Sequence, residues 1–185
     1  MKLNMGCGLH KLDGYVNVDR FAECAPDVVC DLERTPWPWE ANAATEVIFN
    51  HSLEHMGGDP DVFLAMMKEL YRICAPGAAV KITAPHPRHD SFIIDPTHVR
   101  ALTPNMFALF SKAANREWQA TGRPNTPLGL YLDVDFEVTS ASQVVDEHYF
   151  KLLQSGAMSE EDLDRAVKER NNVVVEYVVE LKAVK

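Results

Sequence analysis

The 185-residue sequence predicts an α/β domain built on one mostly parallel, doubly wound sheet, with a single core and a single site. Two observations carry that expectation. Short apolar segments alternate with turn signals and with one clear helical pattern, as in strands joined by crossovers. Three of the early segments end in a glycine or an acid, residue types that line a ligand crevice at the carboxyl edge of a parallel sheet.

Composition narrows the class. Apolar residues make up 46% and charged residues 24%, ordinary globular usage that excludes a disordered or fibrous chain. The net charge of −9 disfavours bulk nucleic-acid binding and attraction to anionic membranes. No segment approaches the roughly 18 apolar residues of a membrane span, and no signal core precedes the first glycine, so a cytoplasmic protein is expected. Cys7, Cys24, Cys30 and Cys74 form no C-x-x-C pair and read as reduced, buried thiols.

In chain order, strands are expected at Lys2–Met5, Tyr15–Val18, Asp27–Cys30, Glu46–Asn50, Ala78–Ala84, Leu130–Thr139 and Asn172–Ala183. The last of these is a nearly continuous apolar run broken by Glu176 and Glu180, which reads as sheet interior. A helix is expected from Pro60 to Cys74, capped by Asp59, with Phe63, Leu64, Met67, Leu70, Tyr71 and Cys74 as its stripe and Pro76-Gly77 as its stop. A second helix should follow Thr103, and a third Ser159, whose spacing to Asp162 resembles a capping box. Residues 86–127, ending in a polar loop dense in turn formers, read as an insertion shaping a substrate side within one domain, 1–185.

The chemistry is expected where strands end. Asn4-Met5-Gly6-Cys7-Gly8 offers a tight turn that can approach a ligand; Asn17-Val18-Asp19 places an acid where ribose hydroxyls bind in dinucleotide folds; Asp31-Leu32 adds another at the same edge. These motifs resemble the class I S-adenosylmethionine-dependent methyltransferases, especially small type-11-like members. The resemblance continues through Asn50-His51-Ser52-Leu53-Glu54-His55, Glu69 to Gly77, and Asp95-Pro96-Thr97-His98-Val99-Arg100 with Thr103-Pro104. It implies a Rossmann-like, seven-stranded sheet with an antiparallel last strand, S-adenosylmethionine as cofactor, and methyl transfer to a small or medium-sized acceptor. By the same resemblance Asn4, Gly6 and Gly8 face the methionine portion, Asp19 the ribose, Asp31 and Leu32 the adenine, and His51 the reacting side.

The sequence departs from the family pattern at Asn4, where many members carry an acid, and at His10, where a third glycine would fall. Only six residues separate Gly8 from Tyr15, so the first crossover is expected to be a loop rather than a helix. The stretch from Asp19 to Asp27 is compressed in the same way, and no lid helix precedes strand one. That side is expected to be open, or covered by a second copy or a partner.

Histidines supply the competing readings. His51, Glu54 and His55 spell H-x-x-E-H, which can bind zinc in a hydrolase; with no third ligand identifiable, no metal is expected. His86, Arg88, His89, Asp90, Asp95, His98 and Arg100 crowd one stretch that could hold a polar substrate. The expected catalytic group is His51 or His98, aided by Asp95, orienting or deprotonating the acceptor. Trp37, Trp39 and Trp118 are assigned to packing against the sheet. The alternative to an enzyme is a non-catalytic binding module of the same fold that acts through a protein partner.

Overall fold

The computed structural model describes residues 1–185. Its sheet contains β1 (Lys2–Met5), β2 (Val16–Asp19), β3 (Val28–Val29), β4 (Ala44–Asn50), β5 (Cys74–Pro85), β6 (Phe136–Val145) and β7 (Val174–Ala183). Their spatial order is β3-β2-β1-β4-β5-β7-β6. The five strands from β3 to β5 pair in parallel, while β7 runs antiparallel between β5 and β6. The chain therefore reverses its direction of winding between β1 and β4, the point at which an open α/β sheet leaves a crevice.

The helix connecting β4 to β5 is α1 (Pro60–Ile73), with Asp59 accepting from the Asp61 amide as its cap and Pro60 in the first turn. Its buried stripe is Phe63, Met66, Met67, Leu70 and Ile73, rotated from the expected one so that Leu64 and Tyr71 flank the core. This face packs on Leu3, Met5, Val47, Phe49, Val80 and Ile82 within one core of 28 buried residues. The helix ends at Ile73, ahead of Pro76-Gly77: Cys74 is already extended, pairs with Ala44, and the register shifts before Glu46. Pro76 and Gly77 thus belong to an irregular entry into β5.

The remaining helices are α2 (Asp90–Ile93), α3 (Pro104–Ala108), α4 (Lys112–Thr121), α5 (Leu128–Leu132), α6 (Glu147–Gln154) and α7 (Glu160–Glu169). The helix expected after Thr103 is divided into α3 and α4, each with its own side-chain cap, Thr103 and Ser111. The strand expected at 130–139 begins only at Phe136, because 128–132 closes a helical turn that Asp133 ends in the left-handed region. Ser159 caps α7 by accepting from the Asp162 amide while its hydroxyl donates to the Asp162 carboxylate at 2.8 Å.

No α-helix lies between β1 and β2 or between β2 and β3. Side chains do the stitching instead. Asn4 Nδ2 donates to His10 O and to Asn17 Oδ1, both at 2.9 Å, and Asn17 Oδ1 also accepts from the Leu12 amide at 2.8 Å. Asp27 Oδ2 accepts from the Asn17 amide at 2.8 Å and from its Nδ2 at 2.9 Å. Two buried amides therefore fix both short crossovers without an α-helix to fold them back.

Candidate cofactor and active site

A cavity of about 420 Å³ opens at the carboxyl edge beside β1, β2, β3 and β4. Gly6, Gly8, Asp19, Asp31, Leu32 and His51 all line it. Asn4 does not: its side chain is 2% exposed and spent on the loop clamp described above. Ser52, His55 and Thr97 form more of the wall.

The glycine turn is required by two constraints at once. Gly6 has φ +69°, and a β-carbon there would stand 2.6 Å from the Ser52 β-carbon. Ser52 cannot retreat freely, because its hydroxyl donates to Met5 O at 2.8 Å. The turn is then locked to β2: Gly8 N–H donates to Asp19 Oδ2 at 2.8 Å, Cys7 N–H to Val18 O at 2.9 Å, and Phe21 N–H to Asp19 Oδ1 at 2.9 Å. Each Asp19 oxygen holds one backbone donor and keeps acceptor capacity for another.

On the third strand end, Asp31 Oδ1 accepts from the Glu33 amide at 3.1 Å and Oδ2 pairs with Arg34 at 3.1 Å. Leu32 is buried in the cavity floor, and its carbonyl accepts from Trp37 Nε1 at 3.0 Å. Trp37 and Trp39 pack in the core rather than line the cavity. Glu33 Oε1 reaches across to accept the Gly57 amide at 2.7 Å, which ties the third strand end to the turn after β4.

His51 leaves β4 with φ +50° and donates its backbone N–H to Thr83 O at 2.9 Å. Its imidazole is 47% exposed and stands between two acids, Nδ1 at 3.7 Å from Glu54 and Nε2 at 3.0 Å from Glu176. Glu54 and then Glu176 push the imidazole pKa above the usual histidine range, against the opposing effect of burial. The 3.0 Å contact is the close ion pair and the 3.7 Å contact the longer one. Glu176 belongs to β7 and was not singled out by the sequence as a site residue; its one signal is that it interrupts an apolar run.

Asp95 and His98 do not line the cavity but stand behind its wall. Asp95 Oδ1 accepts from the Thr97 amide at 2.8 Å and from its hydroxyl at 2.6 Å. His98 is stacked on Phe92 and lies 4.6 Å, centre to centre, from the His55 ring. Other members of the His/Arg-rich stretch make contacts within the fold. Arg88 donates to the carbonyls of Val167 and Lys168 at the end of α7, and burial keeps His86 below the usual histidine range. Arg100 donates to Gly57 O and lies over Phe63, 4.1 Å from the ring centre.

Among solved structures the chain resembles a SAM-dependent methyltransferase from Archaeoglobus fulgidus, with TM-score 0.66 and 19% identity over 98% of this chain and 85% of that one. This chain has the methyltransferase fold. The fold also matches 1,6-didemethyltoxoflavin-N1-methyltransferase of Burkholderia thailandensis, solved with its substrate and S-adenosylhomocysteine, at TM-score 0.52 and 10% identity over 100% and 71% of the two chains. The cyclase SpnF matches at TM-score 0.53 and 15% identity, covering 99% of this chain and 75% of that one, so the methyltransferase fold by itself does not fix a reaction. No family model and no curated protein sequence matches the chain. No helix is long and apolar enough to cross a membrane.

Proposed function

We propose that the chain is an enzyme that binds S-adenosylmethionine in the cavity at the carboxyl edge and transfers its methyl group to a small or medium-sized acceptor. One observation carries this reading: the glycine turn, Asp19, Asp31, Leu32 and His51 converge on one cavity at the switch point of a methyltransferase fold. Asp19 accepts the ribose hydroxyls, Asp31 the adenine side, and the Gly6-Cys7-Gly8 turn carries the methionine portion. Residues 86–127 supply the acceptor side, with Thr97 in the wall.

The reaction is a displacement at the methyl carbon. S-adenosylmethionine held there would supply an activated methyl group open to direct displacement by the acceptor's oxygen or nitrogen, its sulfur leaving as the neutral thioether. In its neutral form His51 takes the proton that the acceptor loses, and Glu176, 3.0 Å from Nε2, orients the ring and stabilises the charged form that results. Asp95 and His98 hold the Thr97 and His55 wall rather than the reacting atoms. Phe21 lines the cavity yet is 53% exposed, which fits a cover from a second copy or a partner on that side.

The test is release of S-adenosylhomocysteine against a panel of hydroxyl, amine and carboxyl acceptors. Turnover with at least one acceptor, lost in His51→Ala, is expected. Cofactor binding without turnover on any acceptor favours instead the non-catalytic module.

A further inference from the structure

One buried group near the cavity lacks hydrogen bonds and has only a 3.7 Å charge contact, to His51 Nδ1. Glu54 is 1% exposed, and neither carboxylate oxygen makes a hydrogen bond. Buried polar groups are almost always hydrogen-bonded, and a buried carboxylate left without hydrogen bonds is costly. One ligand atom each from Glu54, His55 and His98 lie within 4.8 Å of one another.

Hydrogen bonding decides which nitrogen each imidazole offers. The Phe92 carbonyl can only accept, so His98 Nδ1, at 2.8 Å, donates to it and leaves the lone pair on Nε2. The Thr97 hydroxyl gives its single proton to Asp95 at 2.6 Å. His55 Nδ1, 2.8 Å from that hydroxyl oxygen, must therefore donate as well. Both rings are set in the tautomer that presents Nε2, each anchored by an oxygen acceptor, the outer arrangement typical of metal-bound histidines.

We propose that Glu54, His55 and His98 bind a divalent first-row transition-metal ion in the wall of the cavity. Two imidazoles and one carboxylate form the donor set of open zinc and iron(II) sites, whereas magnesium and calcium prefer oxygen-only shells. Ligand atoms about 2.1 Å from an ion stand roughly 3.4 Å apart in a tetrahedron, so loading draws the trio slightly together. Three protein ligands leave a position free. Because His55 also lines the cavity, that position is available to an oxygen or nitrogen of the acceptor. The H-x-x-E-H spacing points to His51 as the partner of His55, but the fold gives His51 to Glu176 and brings in His98 from 43 residues downstream.

Metal binding is measured without cofactor or acceptor, so it stands or falls apart from the methyl-transfer reading. Protein dialysed free of metal is titrated calorimetrically with Zn²⁺, and its visible spectrum is recorded with Co²⁺. One ion per chain is expected, with a melting temperature that rises in excess zinc. Glu54→Gln and His98→Ala should each weaken binding by at least the roughly 100-fold that loss of outer-shell partners can cost. His148→Ala, on the exposed surface of α6, should bind as the parent does. His55→Ala, at a partly exposed position, gives a second ligand variant, and circular dichroism establishes that each variant is folded. Failure of folded parent protein to bind one ion overturns the proposal. So does parent-like affinity in both His55→Ala and His98→Ala, which would assign the ion to the cysteines or the surface.

Discussion

Glu176 forms an ion pair with His51 Nε2 across 3.0 Å, joining residues 125 positions apart at the carboxyl edge of the sheet. The contact exists because β7 inserts antiparallel beside β5, so Glu176 lies level with Pro85, just beyond the strand whose Thr83 carbonyl fixes the His51 backbone. Glu176→Gln should keep cofactor affinity and lower kcat, with KM nearly unchanged. His51→Ala should lower kcat by about 100-fold or more, the range of a lost general acid–base group. Steady-state kinetics on both variants separates an orienting acid from a merely structural one.

The Gly6 turn makes a sharper prediction. In Gly6→Ala the new methyl meets Ser52 at 2.6 Å on a backbone with φ +69°. Strain of about 1–3 kcal/mol is expected. Cofactor binding should fall further than stability, since the turn is also the cavity wall; urea unfolding and calorimetry read the two effects apart.

Asn4 is expected to act on the cofactor only through the loop. Asn4→Ala removes both donations and leaves the buried Asn17 short of a partner, at a cost of about 1–3 kcal/mol. Faster hydrogen exchange at Leu12, whose amide Asn17 holds, is the signature of the clamp. Unchanged exchange there with weakened cofactor binding would return Asn4 to direct contact.

Acid stability should depend on Glu46, which lies between Lys2 at 2.9 Å and Lys81 at 2.8 Å. The Lys81 and Lys2 ammonium groups hold its carboxyl down at about 2. A carboxyl depressed in the folded state stabilises it above the ordinary value near 4.5, and that stability is lost as pH falls from there toward 2. Glu46→Gln should remove about 1 kcal/mol at neutral pH, because both lysines are half exposed and screened, and should flatten the loss below pH 4.5. Denaturant midpoints across that range give the answer.

The parallel half of the sheet was legible because its signals are local. Glycine, Asp19 and Asp31 follow short apolar runs, and α1 carries its cap and first-turn proline in the sequence. The short first crossover was legible from spacing alone. What was hidden depends on tertiary placement. Asn4 looks like a ligand contact until Asn17 is seen to take its amide, and Arg88 looks free until α7 presents its last carbonyls. The β6 boundary was misplaced because Leu128, Leu130 and Leu132 are apolar in a strand or in a short helix, and periodicity does not distinguish the two over so few residues. Glu176 and His98 reach the site from distant segments, and no spacing rule links them to His51 or His55.

Titration of the purified chain with S-adenosylhomocysteine, repeated on Asp31→Ala and Asp19→Asn, tests the cofactor site most directly. Saturable one-to-one binding in the micromolar range is expected, weakened by at least 10-fold in either variant, about 1.4 kcal/mol. Absence of binding by well-folded parent protein, or parent-like affinity in both variants, would contradict a cofactor held at these strand ends.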